Sequence, residues 1–310
     1  MALTKAHNRM IEGASINVLD YGAVGDNATD DATAIQAAIN STYGNEVSTG
    51  NTINFGRGVF KTSATIEINN SAQTFDVDNI TLQGAGRQST IIDASASTSG
   101  SGIELVHSIF NNISDLTVLN ANASGINIES VGNTSPGQRT NFERAQVKNS
   151  GTDGFAFERS YLCKVSQCNS EENAINGFYH NFEIHTSWMI DNNYGRLNGT
   201  PDPLAPTFYT GAGFRSDFNV YSAYVANASD ENRYGYHILG NRGVSFVSNG
   251  AEFNSRAGFL FQSSSSYEIN WVTGMGNTCG GNNKQDTGYA NHTHLIAANS
   301  ITNFVVQKQP

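Results

Sequence analysis

Residues 154–178 read GFAFERSYLCKVSQCNSEENAINGF and contain one full unit of a repeat. The unit begins with a glycine and an apolar alternation at Phe155 and Phe157, continues through a second apolar segment around Val165, and ends where Gly177 begins the next unit. Alternate residues of a β-strand point to opposite faces, so Phe155 and Phe157 are predicted to point inward together. The pattern therefore favours short strands joined by tight bends.

The same start, a glycine followed by an apolar residue, recurs at Gly125-Ile126, Gly154-Phe155, Gly177-Phe178, Gly213-Phe214, Gly235-Tyr236 and Gly258-Phe259. Successive glycines are 29, 23, 36, 22 and 23 residues apart. A unit of about 22 residues matches one coil of a parallel β-helix, whose stacked strands lie about 4.8 Å apart. A leucine-rich repeat would need a dense leucine framework, and a β-propeller would need longer units. The sequence therefore predicts an all-β solenoid, a single-stranded parallel β-helix.

Side chains at equivalent positions of successive coils should form rows inside this solenoid. The inner row is predicted to contain Phe155, Phe157, Phe178, Phe214, Tyr236, Ile238, Phe259 and Phe261. Glycines are predicted to supply the tight corners, and asparagines at the bends, such as Asn227 and Asn249, to hydrogen-bond between coils. The spacing of 36 exceeds its neighbour of 23 by 13 residues, which places an insertion loop at about residues 194–210.

The composition argues against several classes of protein. Charged residues make up 14% of the chain and glycine contributes 31 residues, which is typical of neither disordered chains nor coiled coils. The formal net charge of -10, from 17 basic and 27 acidic residues, predicts no binding to nucleic acid. The three cysteines, an odd number, predict buried free thiols. Residues 1–13 contain no apolar run, so neither a secretory signal nor membrane insertion is predicted.

Residues 15–31 read SINVLDYGAVGDNATDD and resemble the N-terminal motif of the pectate-lyase superfamily. In that family a short helix follows the motif and caps the first coil, and here Asp30 or Asp31 is predicted to cap a helix containing Ile35 and Ile39. Residues 80–93, ITLQGAGRQSTIID, also resemble the family, whereas its usual Pro-Gly turn lacks the proline in INFGRGVF at 53–60. The resemblance implies a right-handed parallel β-helix with a short N-terminal capping helix.

Residues 1–14 resemble the short segment that precedes this motif in phage tailspike and tail-appendage proteins. The resemblance implies an N-terminal attachment segment at 1–14 and a β-helix domain at 15–310. It further implies a homotrimer in the virion, at the phage tail, that contacts other tail proteins through its N-terminus and binds host cell-surface polysaccharide. Bacterial carbohydrate enzymes with the same helix are commonly exported, so the missing secretory signal favours the virion.

Two outward rows of the repeat carry candidate site residues. The second residue after each glycine gives the row Ala156, Tyr179, Arg215, His237 and Leu260. The fourth residue gives the row Glu158, Asn181, Asp217, Leu239 and Gln262. The insertion is predicted to overhang these rows, and the residues predicted to bind the polysaccharide are Tyr179, Asn181, Tyr194, Arg196, Phe208 and Tyr209.

The candidate catalytic residues are Glu158, Asp217, Arg215 and His237. Glu158 and Asp217 lie two coils apart, roughly 9.6 Å, at the upper edge of the carboxyl separation in inverting glycosidases. Arg215 could keep one of these carboxylates charged. A lyase would instead use Arg215, His237 or Tyr179 as a base beside a neutralised uronate. No acidic cluster indicates a calcium site, and the sequence predicts no metal and no cofactor.

Several alternatives remain open at this stage. The two outward rows could be ordinary solvated side chains, and Trp188 could either stack on a sugar or be buried. The chain could be a polysaccharide depolymerase, acting as a glycoside hydrolase or a lyase. It could equally be a non-catalytic structural or receptor-binding virion subunit, or a bacterial polysaccharide lyase or epimerase, since proteins of this fold include all of these.

Overall fold

The chain winds in stacked coils whose parallel strands form three long faces in the computed structural model, which confirms the right-handed parallel β-helix. The structure describes residues 15–42, 51–69, 79–129, 137–181, 185–202, 205–209, 211–262, 269–282, 294–296 and 300–308. Within these ranges no helix is long and apolar enough to cross a membrane. The three cysteines are buried free thiols, as predicted.

Each face is a stack of parallel strands with residues of successive coils in register. Sheet one contains Ile66–Asn69, Ile103–Val106, Ile126–Glu129, Phe155–Glu158, Phe178–Asn181, Ala212–Asp217, Tyr234–Leu239, Ala257–Gln262 and His294–Ile296. Sheet two contains Ile16–Asn17, Asn51–Gly56, Ile80–Gly84, Asn112–Ser114, Asn141–Glu143, Lys164–Ser166, Met189–Asp191, Ala223–Val225 and Ser245–Val247. Sheet three contains Asp26–Asp30, Gly58–Lys61, Thr90–Asp93, Thr117–Leu119, Gln146–Lys148, Asn169–Glu171, Tyr194–Arg196, Ala228–Asp230 and Gly250–Glu252.

Smaller elements complete the coils. The long strand Asn270–Gly280 pairs with both sheet two and sheet three, and Ser300–Lys308 pairs with it in turn. A four-stranded ladder between sheets one and two contains Gly137–Gln138, Ser160–Tyr161, His185–Thr186 and Asn219–Val220. Pro201–Asp202 and Ala205–Tyr209 form an antiparallel hairpin, and the short 3-10 helices are Val18–Tyr21 and Ala94–Ala96.

The predicted capping helix spans Ala32–Asn40. Its buried residues include Ile35 and Ile39, which belong to the same apolar core as the first coils. The Asp30 carboxylate accepts a hydrogen bond from the first backbone N–H of the helix, whereas the Asp31 side chain makes no cap bond and instead accepts from the backbone of the preceding loop. Of the two predicted caps, Asp30 therefore contacts the helix N-terminus.

The predicted inner row is confirmed as a continuous stack of aromatic rings. Neighbouring rings from Phe155 to Phe259 lie 5.0, 4.8, 4.9 and 4.5 Å apart between centroids and within 8° of parallel. Trp188 is also in this core, where its indole N–H donates to the Ser160 carbonyl. Each ring stacks on the rings of the coils above and below it, and several also contact core aromatics of sheet two edge to face, as Phe155 does with Phe142 and Phe214 does with Tyr224.

Buried asparagines form two further ladders, at the bends on either side of sheet three. Their amides are hydrogen-bonded in the runs Asn193, Asn227, Asn249 and Asn277, and Asn173, Asn198, Asn232, Asn254 and Asn282. Every amide except the last of each run donates to the asparagine of the next coil, and most of the amides also donate to a backbone carbonyl, as Asn227 does to Ile190. The bend asparagines therefore satisfy buried polar groups inside the solenoid.

The corners differ from the prediction that glycine would supply them. Arg144, Gln167 and Asn192 occupy one corner of successive coils with φ of 50°, 55° and 55°, and the N–H of each donates to the carbonyl of the next coil. Gly154, which begins a unit, has no positive φ. A Cβ at Gly154 would lie 1.9 Å from the Ser170 Oγ. Glycine is needed there for close packing, and the corner geometry is stabilised by hydrogen bonds between coils.

Candidate functional site

The first outward row lies on sheet one in the predicted register. Ala156, Tyr179, Arg215, His237 and Leu260 occupy neighbouring positions on successive strands. The two ends of the row are buried, with Ala156 at 7% exposure and Leu260 at 5%. Between these two buried residues the row is polar over three coils, with Arg215 between Tyr179 and His237.

Arg215 and Tyr179 are both bonded to Asp217, which lies two residues beyond Arg215 on the same strand. The Arg215 Nε and Nη2 donate to the two Asp217 oxygens at 3.2 and 3.0 Å, and the Tyr179 hydroxyl donates to Asp217 Oδ2 at 3.0 Å. The Arg215 guanidinium also lies over the Tyr179 ring, 5.0 Å from its centroid. Because Asp217 is only 4% exposed, these charge-assisted bonds fix the side chains of Arg215 and Tyr179.

The protonation states of the row follow from burial and from Asp217. Burial, with the Asp217 charge added, raises the pKa of Tyr179, so its hydroxyl keeps its proton. Burial lowers the pKa of His237, whose Nε2 lies 3.2 Å from Gln262 Oε1, so the imidazole is neutral at pH 7. Burial also disfavours the charged form of Arg215, but the hydrogen bond and charge of Asp217, together with the effects of Tyr179 and Asp153, outweigh burial, so the pKa of Arg215 is raised. A charged guanidinium thus lies between two neutral acid-base groups.

Asp153 is a fifth ionisable group near this cluster, and the sequence reasoning missed it. It directly precedes Gly154 and is buried, and its Oδ1 accepts hydrogen bonds of 2.9 and 2.8 Å from the backbone and side-chain amides of Asn176. Burial raises the pKa of Asp153 to about 6, while the Arg215 charge acts in the opposite direction. The sequence signal was an aspartate at a corner position where the next coil carries Asn176.

The raised pKa of Asp153 makes the stability of the fold depend on pH. Between 3.8, its usual value, and about 6, the folded state binds a proton that the unfolded chain has released, so this stabilisation is lost as the pH rises through 6. Asp153→Asn removes the ionisation and keeps an oxygen for Asn176. We expect the variant to gain about 2 to 3 kcal/mol in unfolding free energy at pH 8 and little at pH 4, by urea denaturation. An equal gain at both pH values would contradict this assignment.

The second outward row is less complete than the first. Glu158 is partly exposed and pairs in register with Asn181, whose side chain lies outside the described part of the chain. The strand Phe178–Asn181 lies between the strand that ends at Glu158 and the strand that ends at Asp217. Glu158 and Asp217 are therefore two coils apart, as predicted. The two carboxyl groups differ in their surroundings. Asp217 is buried and accepts three hydrogen bonds, whereas Glu158 is partly exposed.

The insertion is shorter than the predicted range 194–210. Tyr194 and Arg196 lie on a regular strand of sheet three, where Tyr194 donates to Asp230 at 3.2 Å and Arg196 pairs with Glu231 at 2.8 Å. They pair with the coils above and below, so they belong to a different face from Arg215 and do not overhang it. Phe208 and Tyr209 lie on the hairpin strand Ala205–Tyr209, and their side chains are outside the described residues.

Sheet one also carries carboxyl groups on its earlier coils that the repeat did not reveal. Glu67 and Glu104 occupy the same row as Tyr179, and Glu129 ends the following strand. Burial raises the pKa of Glu104, and the nearby Glu129 and Glu67 add to this effect, while a 2.9 Å hydrogen bond from Asn127 opposes it. Glu67 and Glu104 were missed because they precede Gly125, the first glycine counted in the repeat. Glu129 was overlooked although it is the fourth residue after Gly125, the position that Glu158 occupies after Gly154.

A groove of about 750 Å³ runs along the corner between sheets three and one. Asn120, Asn149, Asn173 and Thr200 are among its lining residues, and the one charged lining residue that the structure describes is Glu172, which pairs with Lys148 at 2.9 Å. Most of the lining residues therefore carry an amide or a hydroxyl group. In the described ranges no group of three or more His, Cys, Asp or Glu side chains could hold a metal ion.

Comparison with known proteins agrees with the fold. The family described as "Rhamnogalacturonase A/epimerase, pectate lyase-like" matches residues 15–194, more than half of the chain. Mannuronan C5-epimerase AlgE3 of Azotobacter vinelandii is 26% identical over 196 residues, which cover 59% of this chain and 10% of that relative. This chain therefore corresponds to about a tenth of that relative's length.

Two solved structures extend the comparison along the whole chain. The A-module of mannuronan C-5 epimerase AlgE6 from Azotobacter vinelandii has a TM-score of 0.57 at 19% identity, covering 96% of this chain and 100% of that one. The N-terminal fragment of gene product 12 of bacteriophage Phi29 also has a TM-score of 0.57, at 14% identity, covering 88% of this chain and 58% of that one. At these identities the likeness shows a shared fold.

Proposed function

Because the chain belongs to the rhamnogalacturonase A/epimerase, pectate lyase-like family, we propose that it binds an acidic polysaccharide along the outer surface of sheet one. The observation that carries the proposal is the position of Arg215 between Tyr179 and His237 on adjacent strands. Two donors of the guanidinium bond Asp217, and the remaining donors of the five suit the carboxylate of a uronic acid. Neutral sugar units would lie in the amide-lined groove and over the earlier coils.

We propose further that the cluster transfers protons at this sugar. The neutral His237 can accept the proton from the carbon next to the uronate carboxylate, while Arg215 stabilises the negative charge that moves onto the carboxylate. The protonated Tyr179 is one coil from Arg215 on the other side and can donate a proton. If that proton returns to the carbon from the opposite face, the sugar is epimerised. If it goes to the departing glycosidic oxygen, the chain is cleaved by elimination.

Hydrolysis by Glu158 and Asp217 is the second candidate. It rests on their separation of roughly 9.6 Å over two coils, near the upper limit for inverting enzymes. The three hydrogen bonds to the buried Asp217 fit a carboxylate that positions Arg215 and Tyr179 better than one that activates water. Asp217 would then be too buried to act as the second catalytic carboxyl beside Glu158, so proton transfer is the favoured chemistry.

The proposed setting is a phage tail. A tailspike-like subunit would form a homotrimer, contact other tail proteins through residues 1–14, which lie outside the described part, and bind host cell-surface polysaccharide. The fold shared with a Phi29 protein supports this setting, and the fold shared with Azotobacter epimerases supports the alternative of a bacterial lyase or epimerase. A non-catalytic receptor-binding subunit would use the same surface without turnover.

The test is to incubate the full chain with alginate, polygalacturonate and dextran. Binding is measured by calorimetry, elimination by the ultraviolet absorbance of unsaturated uronates, and epimerisation by solvent deuterium entering the sugar. We expect binding of an acidic polymer and not of dextran, with at least 100-fold slower product formation in His237→Gln and Tyr179→Phe. Tyr194→Phe is the matched control, because its hydroxyl also bonds a carboxylate but on sheet three.

Each outcome discriminates between the candidates. Binding without products would assign the receptor-binding function instead of catalysis. New reducing ends that disappear in Glu158→Gln but persist in His237→Gln would assign hydrolysis. Binding of neither acidic polymer would refute the proposed ligand class, and unchanged products in both Tyr179→Phe and His237→Gln would refute the proposed chemistry.

A further inference from the structure

Arg233 lies at the edge of the proposed site, directly before the strand of sheet one that carries His237. Its backbone is fixed by both neighbouring coils, since its N–H donates to the Gly211 carbonyl at 2.8 Å and its carbonyl accepts from the Arg256 N–H at 2.9 Å. The guanidinium lies over the Tyr234 ring, 5.5 Å from its centroid, and the Tyr234 ring lies 5.3 Å from the imidazole of His237. Two successive contacts therefore connect Arg233 with His237.

The charge of Arg233 is left without an anionic partner by the chain itself. Its side chain is partly exposed, its Nε is buried without a hydrogen-bond partner, and no carboxylate in the described part of the chain pairs with it. Stacking over a ring uses the flat face of a guanidinium, whereas its five N–H groups point outward in its plane. The exposed edge of Arg233 is therefore available to the carboxylate of a ligand.

The positive charges of the site extend from Arg215 to this corner. Burial is the main cause of the lowered pKa of His237, and the charges of Arg215 and Arg233 lower it further. Arg256, exposed on the next coil, adds a third guanidinium beside the backbone of Arg233. Two neighbouring carboxylates would thus meet cations on two sides of His237.

The opposite end of sheet one is acidic. Its earlier coils carry the carboxyl groups of Glu67, Glu104 and Glu129. These groups are close together, because Glu129 and Glu67 add to the effect of burial in raising the pKa of Glu104. A second acidic sugar placed over these coils would be repelled, whereas one placed at the Arg233 corner would be attracted.

We propose that Arg233 binds a second carboxylate of the polysaccharide, on the sugar next to the one that Arg215 holds. The Tyr234 ring, which lies between Arg233 and His237, can stack on the sugar that carries this second carboxylate. The proposal rests on the proposed function of sheet one and adds a preference to it. Polymers with acidic groups on neighbouring sugars should bind more tightly than polymers in which acidic and neutral sugars alternate.

The experiment compares two acidic polymers, alginate and hyaluronan, by calorimetric titration of the full chain at constant ionic strength. Alginate carries a carboxylate on every sugar, whereas the uronates of hyaluronan alternate with neutral sugars. We expect the natural chain to bind alginate at least tenfold more tightly. In Arg233→Gln, which removes the charge, the affinity for alginate should fall at least tenfold and the affinity for hyaluronan should stay within about twofold.

Arg242→Gln is the matched control. Arg242 is exposed and lies beyond the other end of the same strand, where it pairs with Val220. The substitution removes the same charge from the same coil, so both affinities should stay within about twofold of the natural chain. Circular dichroism and thermal unfolding establish that each variant is folded.

Several results would overturn the assignment of Arg233. They are equal affinities of the natural chain for the two polymers, a folded Arg233→Gln that keeps its preference for alginate, an equal loss for both polymers in that variant, and an equal loss in Arg242→Gln. With any of these results, binding that disappears in Arg215→Met would leave the proposed function standing. Binding of neither polymer, or binding that is unchanged in Arg215→Met, would refute the proposed function and the assignment of Arg233 together.

Discussion

Arg215→Met is expected to reduce binding of an acidic polysaccharide at least 100-fold and to lower the free energy of unfolding by about 3 kcal/mol. The loss of binding follows from removing the guanidinium that pairs with the sugar carboxylate. The loss of stability follows because the Asp217 carboxylate, whose side chain is 6% exposed, would lose its cation. This loss in unfolding free energy is at the lower end of what breaking a buried ion pair costs, because the Arg215 side chain is 32% exposed. Calorimetric titration and urea denaturation measure the two effects.

The double variant Arg215→Met, Asp217→Asn separates these effects. Replacing the Asp217 carboxylate with an amide removes the unpaired charge that Arg215→Met leaves at this position, and Tyr179 can still donate to the amide oxygen. We therefore expect most of the stability to return while polysaccharide binding remains lost. If the double variant recovered binding, the ligand would not be held by Arg215. If it stayed as unstable as Arg215→Met, the stability loss would not come from the unpaired Asp217 carboxylate.

Phe178→Ala is expected to destabilise the fold by about 3 to 5 kcal/mol. Phe178 is fully buried, and its ring stacks at 5.0 Å on Phe155 and at 4.8 Å on Phe214. Removing it leaves a cavity that the rigid coils on either side cannot fill, and it interrupts the apolar contact between them. The shift of the urea unfolding midpoint measures this loss.

Phe253→Ala provides the matched control for that substitution. Phe253 lies at a corner of a later coil and is 44% exposed, so its truncation creates little cavity and should cost less than about 1 kcal/mol. Similar losses for both phenylalanines would contradict a stabilising role for the inner stack. The difference between them measures what burial in the stack contributes to the free energy of unfolding.

The repeat predicted the first outward row but could not predict how its members interact. The period of the glycines places Tyr179, Arg215 and His237 in adjacent positions, because strands of equal length stack in register. The hydrogen bonds to Asp217 depend on side-chain rotamers and on how deeply each side chain is buried. The spacing of the repeat specifies neither of these. Tyr194 and Arg196 were assigned to the insertion because the sequence does not mark where a regular coil ends and the inserted loop begins.

The sequence alone determined the coil, since its period, its alternation and its buried aromatics repeat often enough to specify one stacked architecture. Hydrophobic periodicity is a local property, and each coil needs only its neighbours to bury its inner face. The tertiary structure decided which polar groups are buried and which charges meet. The effect of the Arg215 charge on the pKa of Asp153 and the hydrogen bond from Tyr179 to Asp217 both arise from stacking residues that are distant in the chain, so they exist only once the coils are assembled.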